Sequence, residues 1–246
     1  MPSQLQKGGL NLRLLLTGLT LAVLGGLLIL ASQRLGAGLQ QQVAPVLQVY
    51  SGRPRLQGKA VVEMIVQTAQ SGLITLTIEL DGEAAPLTAG NFADLVQRSF
   101  YNGHIFYQVE KDPEPFVVRS GDPNGNGTGG YQDPVSQQLR RIPLEIKLKG
   151  QDQPLYNTPV DVAASVEELV LDHRRGSIGM ARSANDFDSA SSQFYISLAS
   201  LPILDGRFAV FGYVTEGMDG VDQIQVGDVI QSVKILEGSE HLIYDE

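Results

Sequence analysis

Between Leu73 and Leu80 apolar and polar residues alternate without a break. Ile74, Leu76, Ile78 and Leu80 fall on one face, and Thr75, Thr77 and Glu79 on the other. A period of two is the pleat of a half-buried strand. The apolar run Val61–Val66 before it predicts the other arm of a hairpin. The same alternation in Gln193-Phe194-Tyr195-Ile196 sends Phe194 and Ile196 one way and Gln193 and Tyr195 the other. One face can pack a core while the other offers an amide and an aromatic ring to an extended peptide. Further strands are predicted at Ile105–Val109, Phe116–Ser120, Pro143–Leu148 and Gly176–Ala181, in the apolar run ending at Gly212, and at Asp228–Leu236. Antiparallel pairing of Ile105–Val109 with Phe116–Ser120 brings Gln108 near Arg119.

Helical spacing is rarer. Ala85-Pro86-Leu87-Thr88 opens one helix, with Thr88 as the capping hydroxyl and Phe92, Leu95 and Val96 on one face. Gly217-Met218-Asp219 begins a second that runs to about Ile224, and Ser165–Leu171 suggests a short third. The sum is mainly β: a closed eight-stranded antiparallel barrel capped by two helices, which leaves no bare edge.

The chain opens on a different pattern. Residues 14–31 carry no charge and are mostly apolar, a run that at ~1.5 Å per residue just spans a bilayer core. Lys7 and Arg13 precede it, which places the N-terminus in the cytoplasm and the rest beyond the membrane. The run is long for a signal peptide and no A-x-A site follows, so residues 1–34 read as an uncleaved anchor rather than a cleaved leader. Gly18, Ala22 and Gly26 recur at four-residue spacing and could admit a partner helix. Residues 35–60 read as a Gln-, Gly- and Pro-rich linker, residues 61–238 as the globular domain, and 239–246 as a tail.

Charge and composition narrow the chemistry. The 246-residue chain carries a formal charge of −9, which argues against nucleic acid as a partner. It has no cysteine, so disulfides, thiol catalysis and thiolate metal sites are excluded. His104, His173 and His241 show no metal-ligand spacing, and no metal site is expected. The loop Gly121–Tyr131 offers two false matches. Asp122, Asn124, Asn126 and Gly127 resemble the start of a calcium loop, but Asp133 stands where a bidentate glutamate belongs and no helices flank it. Gly125, Gly127 and Gly130 fit G-x-G-x-x-G, but no helix follows to hold a pyrophosphate. A tight turn beside a groove is the expected role.

Several segments together resemble one family. They are Ala85-Pro86-Leu87-Thr88 with Asn91-Phe92, Gly103-His104-Ile105-Phe106, Gly121-Asp122-Pro123 with Gly127-Thr128-Gly129-Gly130, Gly179-Met180-Ala181, Ser192-Gln193-Phe194, Leu204-Asp205-Gly206-Arg207 and Val210-Phe211-Gly212. In order and spacing, residues 61–236 resemble the cyclophilins, the peptidyl-prolyl cis-trans isomerases. Ile142-Pro143-Leu144-Glu145-Ile146 and Ala190-Ser191-Ser192-Gln193 look most like members from the thylakoid lumen and cyanobacteria. The resemblance implies a groove that binds proline-containing segments and needs no cofactor. By that resemblance Phe116, Val117, Tyr195 and Leu204 form the apolar pocket, and Ala181 and Gln193 bind the peptide. The chain also departs from the family. Gln108 stands at the catalytic arginine's position, Ile203 at a tryptophan, Phe208 at a histidine and Arg182 at an asparagine. Arg119 stands where the family carries glutamine, so arginine and glutamine look exchanged across one strand pair. Arg119, with Gln108 beside it, is the expected catalytic group.

The first functional reading is an isomerase that assists protein folding in a periplasm or thylakoid lumen. The second is a binding module that holds prolyl segments of a membrane complex with little or no catalysis. The third is a structural subunit whose anchor helix makes the contact.

Overall fold

The computed structural model describes residues 50–162 and 168–244. β2 (Lys59–Thr68) and β3 (Gly72–Asp81) form the expected hairpin, in unbroken register from Lys59 opposite Asp81 to Thr68 opposite Gly72. They are the longest strands because period-two alternation persists longest there. The remaining strands are β1 (Pro54–Leu56), β4 (Gln108–Val109), β5 (Val117–Ser120), β6 (Glu145–Ile146), β7 (Leu155–Tyr156), β8 (Ser177–Met180), β9 (Phe194–Ser197), β10 (Val210–Glu216), β11 (Val229–Glu237) and β12 (Leu242–Tyr244). Eight form one curled antiparallel sheet in the order β11-β2-β3-β10-β8-β9-β5-β4. The continuous closure expected of a barrel is not seen. Edge strand β11 instead meets the segment just before β4, at the other edge, through one isolated bridge, Ile105 to Val229, with Phe106 N–H donating to the Asp228 carbonyl and Ile230 N–H to the His104 carbonyl.

The curl encloses one core. Val62, Met64, Leu76, Ile78, Leu80, Ile178, Phe194, Ile196 and Phe211 all point into it. Helix α1 (Pro86–Gln97) closes one end with Phe92, Leu95 and Val96, the three residues its sequence set on one face. The short helix α2 (Met218–Val221) contributes Val221.

Thr88 does not cap α1. The cap residue is Ala85, which makes no side-chain bond. The free amides of Leu87 and Thr88 donate instead to the Glu145 carboxylate on β6, at 3.1 and 2.8 Å, and the Thr88 hydroxyl joins them at 2.7 Å. A carboxylate at a helix N-terminus answers both the unpaired amides and the helix dipole. Burial still dominates and pushes the Glu145 carboxyl above its ordinary range.

The ends of the described chain are ordered onto this body. Tyr50 and Leu56, from the stretch read as linker, are buried. β1 pairs antiparallel with β12, so residues 242–244 of the expected tail form a strand. Tyr244 donates its hydroxyl to Asp94 on α1 at 2.7 Å, and Arg140 and Arg98 bind the same carboxylate. Burial pushes Asp94 up, but these bonds outweigh it and hold the group below the usual carboxylate range.

The expected helix at Ser165–Leu171 is not formed where it can be followed, since Leu169 bridges to Leu148. Residues 163–167 lie outside the described residues. So does the apolar run 14–31 with Gly18, Ala22 and Gly26. Among the described residues no helix is long and apolar enough to cross a membrane.

Candidate active site

The site is built across the sheet on the face turned away from the core. Strand register places Gln108 opposite Arg119, Arg119 opposite Tyr195, Tyr195 opposite Gly179, and Gly179 opposite Val210. Directly opposed residues of antiparallel strands share a face, so amide, guanidinium and phenol form one row. The Gly179 position requires glycine, because a Cβ there would sit 2.3 Å from Cζ of Tyr195.

Around Tyr195 gathers an apolar cluster separate from the core. Val117, Tyr195 and Leu201 are buried in it, and Phe116, Ala181, Ala199, Leu204 and Phe208 pack against them. The Phe208 ring meets Tyr195 edge-on at 6.3 Å. Leu204 ends the short 3-10 turn Pro202–Leu204. Ile203 on the same turn points elsewhere. It is 71% exposed and lies outside the cluster, because successive residues of so tight a turn face different directions.

A polar cavity of about 560 Å³ adjoins this cluster, and Ala181 belongs to both. Tyr107, Gln108, Arg119, Arg182 and Gln193 line it, with the loop Asn126–Gly129. That loop is wound around Asp122, whose carboxylate accepts the amides of Asn124, Asn126, Gly127, Thr128 and Gly129. Burial pushes this carboxyl up, and the amide bonds outweigh it to hold it below its usual range. Asp122 therefore serves the turn, as expected of this stretch.

The candidate side chains differ in how far the protein already uses them. Gln193 is spent at both ends: it accepts from the Tyr107 hydroxyl at 2.5 Å and donates to the Gly129 carbonyl at 2.7 Å. It is thus a strut of the cavity wall rather than an open amide. Tyr195, read from sequence as offered to a ligand, is only 3% exposed. It forms the floor beneath the cluster, and its hydroxyl lies 2.7 Å from Nε2 of His173. Arg182 lies between the rings of Phe187 and Phe208, at 4.6 and 4.5 Å. It donates to the carbonyls of Ser183, Ala184 and Arg207. Gln108 donates to Glu110 at 2.7 Å. Arg119 keeps most of its donors, since Nε has no partner and the nearest carboxylate oxygen, on Glu110, is 3.9 Å from Nη2. Sequence reasoning did not single out Tyr107, His173, Ala199 or Leu201. Only strand register and turn geometry bring them here.

An apolar, aromatic cluster beside a polar cavity that holds a part-free guanidinium, both carried outside a curled antiparallel sheet, is the arrangement the fold presents. The chain belongs to the cyclophilin family: residues 62–239 match the model described as Cyclophilin type peptidyl-prolyl cis-trans isomerase/CLD. It is 39% identical over 203 residues to a Synechocystis sp. protein named a thylakoid lumen peptidyl-prolyl cis-trans isomerase, covering 79% of this chain and 51% of that one. It is 37% identical over 209 residues to the chloroplastic peptidyl-prolyl cis-trans isomerase CYP38 of Arabidopsis thaliana, covering 80% and 47%. The chain thus spans about half the length of these relatives. In fold it resembles a cyclophilin type isomerase of Cryptosporidium parvum, with TM-score 0.55, 24% identity, and coverage of 73% of this chain and 98% of that one. That protein was also solved in the presence of the dipeptide Ala-Pro.

Proposed function

We propose that this chain is a peptidyl-prolyl cis-trans isomerase that grips a proline against Phe116, Leu204 and Phe208, above the Tyr195 floor. Uncatalysed X-Pro rotation takes tens to hundreds of seconds, because amide resonance sets a barrier of ~18–20 kcal/mol. A catalyst has to hold the ring and favour the twisted bond, whose nitrogen regains a lone pair. Arg119 supplies the donor for that nitrogen, and Gln108 completes the exchange across β4 and β5. The observation that carries this reading is the register of Gln108, Arg119 and Tyr195, which sets an under-used guanidinium beside the apolar floor. The names of the relatives support a domain working in a thylakoid lumen; the uncharged apolar run 14–31 is proposed as its membrane anchor, and folding or assembling proteins as its clients. The barrel-like sheet would serve as the rigid support for the cleft.

The test is the isomerisation rate of a prolyl peptide with the full chain. Arg119→Ala should lower kcat/KM about a hundredfold, as loss of one aimed donor does elsewhere, while Gln108→Ala should lower it far less. An active wild type that is indifferent to Arg119→Ala removes Arg119 from the chemistry. A wild type that binds the peptide without turning it over makes the domain a binding module instead.

A further inference from the structure

Under the cleft, three polar side chains are joined in a line that no step above uses. His173 is buried to 1% exposure. Its Nδ1 lies 2.7 Å from Oδ1 of Asp205, and its Nε2 lies 2.7 Å from the Tyr195 hydroxyl. A carboxylate only accepts, so Nδ1 carries the ring proton. Nε2 is then an acceptor, and the phenol donates to it. Burial lowers the tendency of His173 to take a second proton, in spite of Asp205. Burial likewise pushes the Tyr195 phenol up, so that it stays protonated.

The line also holds backbone. The amide of His173 donates to the same Asp205 oxygen at 2.8 Å, and its carbonyl accepts from the Leu201 amide at 2.7 Å. His173 therefore grips both ends of the segment 201–205, which carries Leu201 and Leu204 of the cleft. The Tyr195 ring is held from one side by this imidazole and from another by the glycine at 179.

We infer that His173, oriented by Asp205, is the positioning residue of the cleft: it locks the Tyr195 floor and the Leu201–Leu204 wall at one fixed spacing, and so sets the affinity for proline. This inference rests on the function proposed above. His173 touches no substrate and acts through the Tyr195 hydroxyl and the 201–205 turn.

Two measurements decide it, both on the full chain. Nitrogen-15 NMR of the imidazole should show the Nδ1-protonated neutral ring from about pH 7 upward, since burial disfavours the cation. An Nε2-protonated or cationic ring in that range overturns the inference. The second is a double-mutant cycle on the KM for a prolyl peptide. His173→Phe should raise KM about three- to tenfold, the worth of one buried hydrogen bond, with kcat within about twofold. In a Tyr195→Phe background the same change should do much less, because no hydroxyl is left to orient. Should His173→Phe fail to fold, Asp205→Asn takes its place in the cycle. Effects that simply add, with an active wild type, overturn this inference and leave the isomerase reading intact. A wild type that neither binds nor isomerises the peptide overturns both.

Discussion

Phe194 and Tyr195 are neighbours on β9 and both are almost wholly buried, yet they are buried in different company. Phe194 points into the curl of the sheet. There it meets Phe92 edge-on at 5.4 Å and Tyr101 at 5.4 Å, among Leu, Ile and Val side chains. Tyr195 points the other way, into a smaller cluster whose rim is half-exposed, and its polar end is tied to a histidine. The inner face is dry and close-packed, so its integrity decides whether the chain folds. The outer face has fewer apolar neighbours, and hydrogen bonds to distant residues hold its geometry. One strand thus serves stability on one side and, under the function proposed above, recognition on the other, and substitutions should sort by face.

The largest effect is expected on the inner face. Phe194→Ala removes a ring from a closed aromatic group and should cost about 3–5 kcal/mol of unfolding free energy, read from denaturant melts. A cost near that of a surface change would erase the distinction between the faces.

Glu145 comes next, because it is a buried carboxyl at the N-terminus of the helix that closes the core. Its folded-state carboxyl binds a proton more tightly than the unfolded one does, since burial raises it from its ordinary value of 4.5. Its contribution therefore favours folding fully below that ordinary value and is lost as pH rises through the raised one. Asp94, held low by Arg98, Tyr244 and Arg140, works in the opposite sense: its stabilisation is lost as pH falls below the ordinary carboxylate range. At neutral pH, Glu145→Gln should cost about 1–3 kcal/mol through the weakened α1 cap. It should also abolish the decline in stability expected as pH rises through the raised Glu145 value. A decline of equal size in both proteins would place its origin elsewhere.

On the outer face the balance turns from stability to binding. Leu204 is half-buried on its turn, so Leu204→Ala should leave the melting midpoint almost unchanged. Proline contact there is worth about 1–2 kcal/mol, so prolyl-peptide binding should weaken roughly tenfold. A titration followed by calorimetry would show it, and unaltered affinity would move the proline contact away from this turn.

What the sequence discloses follows the same division. The β2–β3 hairpin and the core face of α1 were legible because their signal is local and periodic. The meeting of Gln108 and Arg119 followed from one hairpin, and the alternation at Gln193–Ile196 correctly separated the two faces of β9. The α1 cap and the outer-face geometry were not legible, because their ties cross long stretches of chain. Glu145 caps a helix 58 residues before it, and Tyr195 reaches a histidine 22 residues away. No window of periodicity contains either pair. Ile203 and Leu204 could not be told apart either, since a single 3-10 turn has no repeat from which to read direction. Tyr195 and Gln193 were placed on the right face, but what their polar atoms already bind is a fact of tertiary structure.

The smallest effect expected is also the one that best separates a strut from a ligand-binding group. Tyr107 donates to Gln193 at 2.5 Å, and Gln193 in turn holds the Gly129 carbonyl. Tyr107→Phe keeps the ring and removes only that donor, so it should cost about 0.5–1 kcal/mol, the net worth of one part-buried hydrogen bond. If Gln193 is a strut, the freed amide oxygen turns to solvent and the cavity wall loosens, with peptide affinity reduced in proportion to that loss. If Gln193 is instead a peptide-binding amide held in check by Tyr107, releasing it should raise affinity. The sign of the change in a peptide titration therefore distinguishes the two roles, and tighter binding by Tyr107→Phe would return Gln193 to the recognition surface.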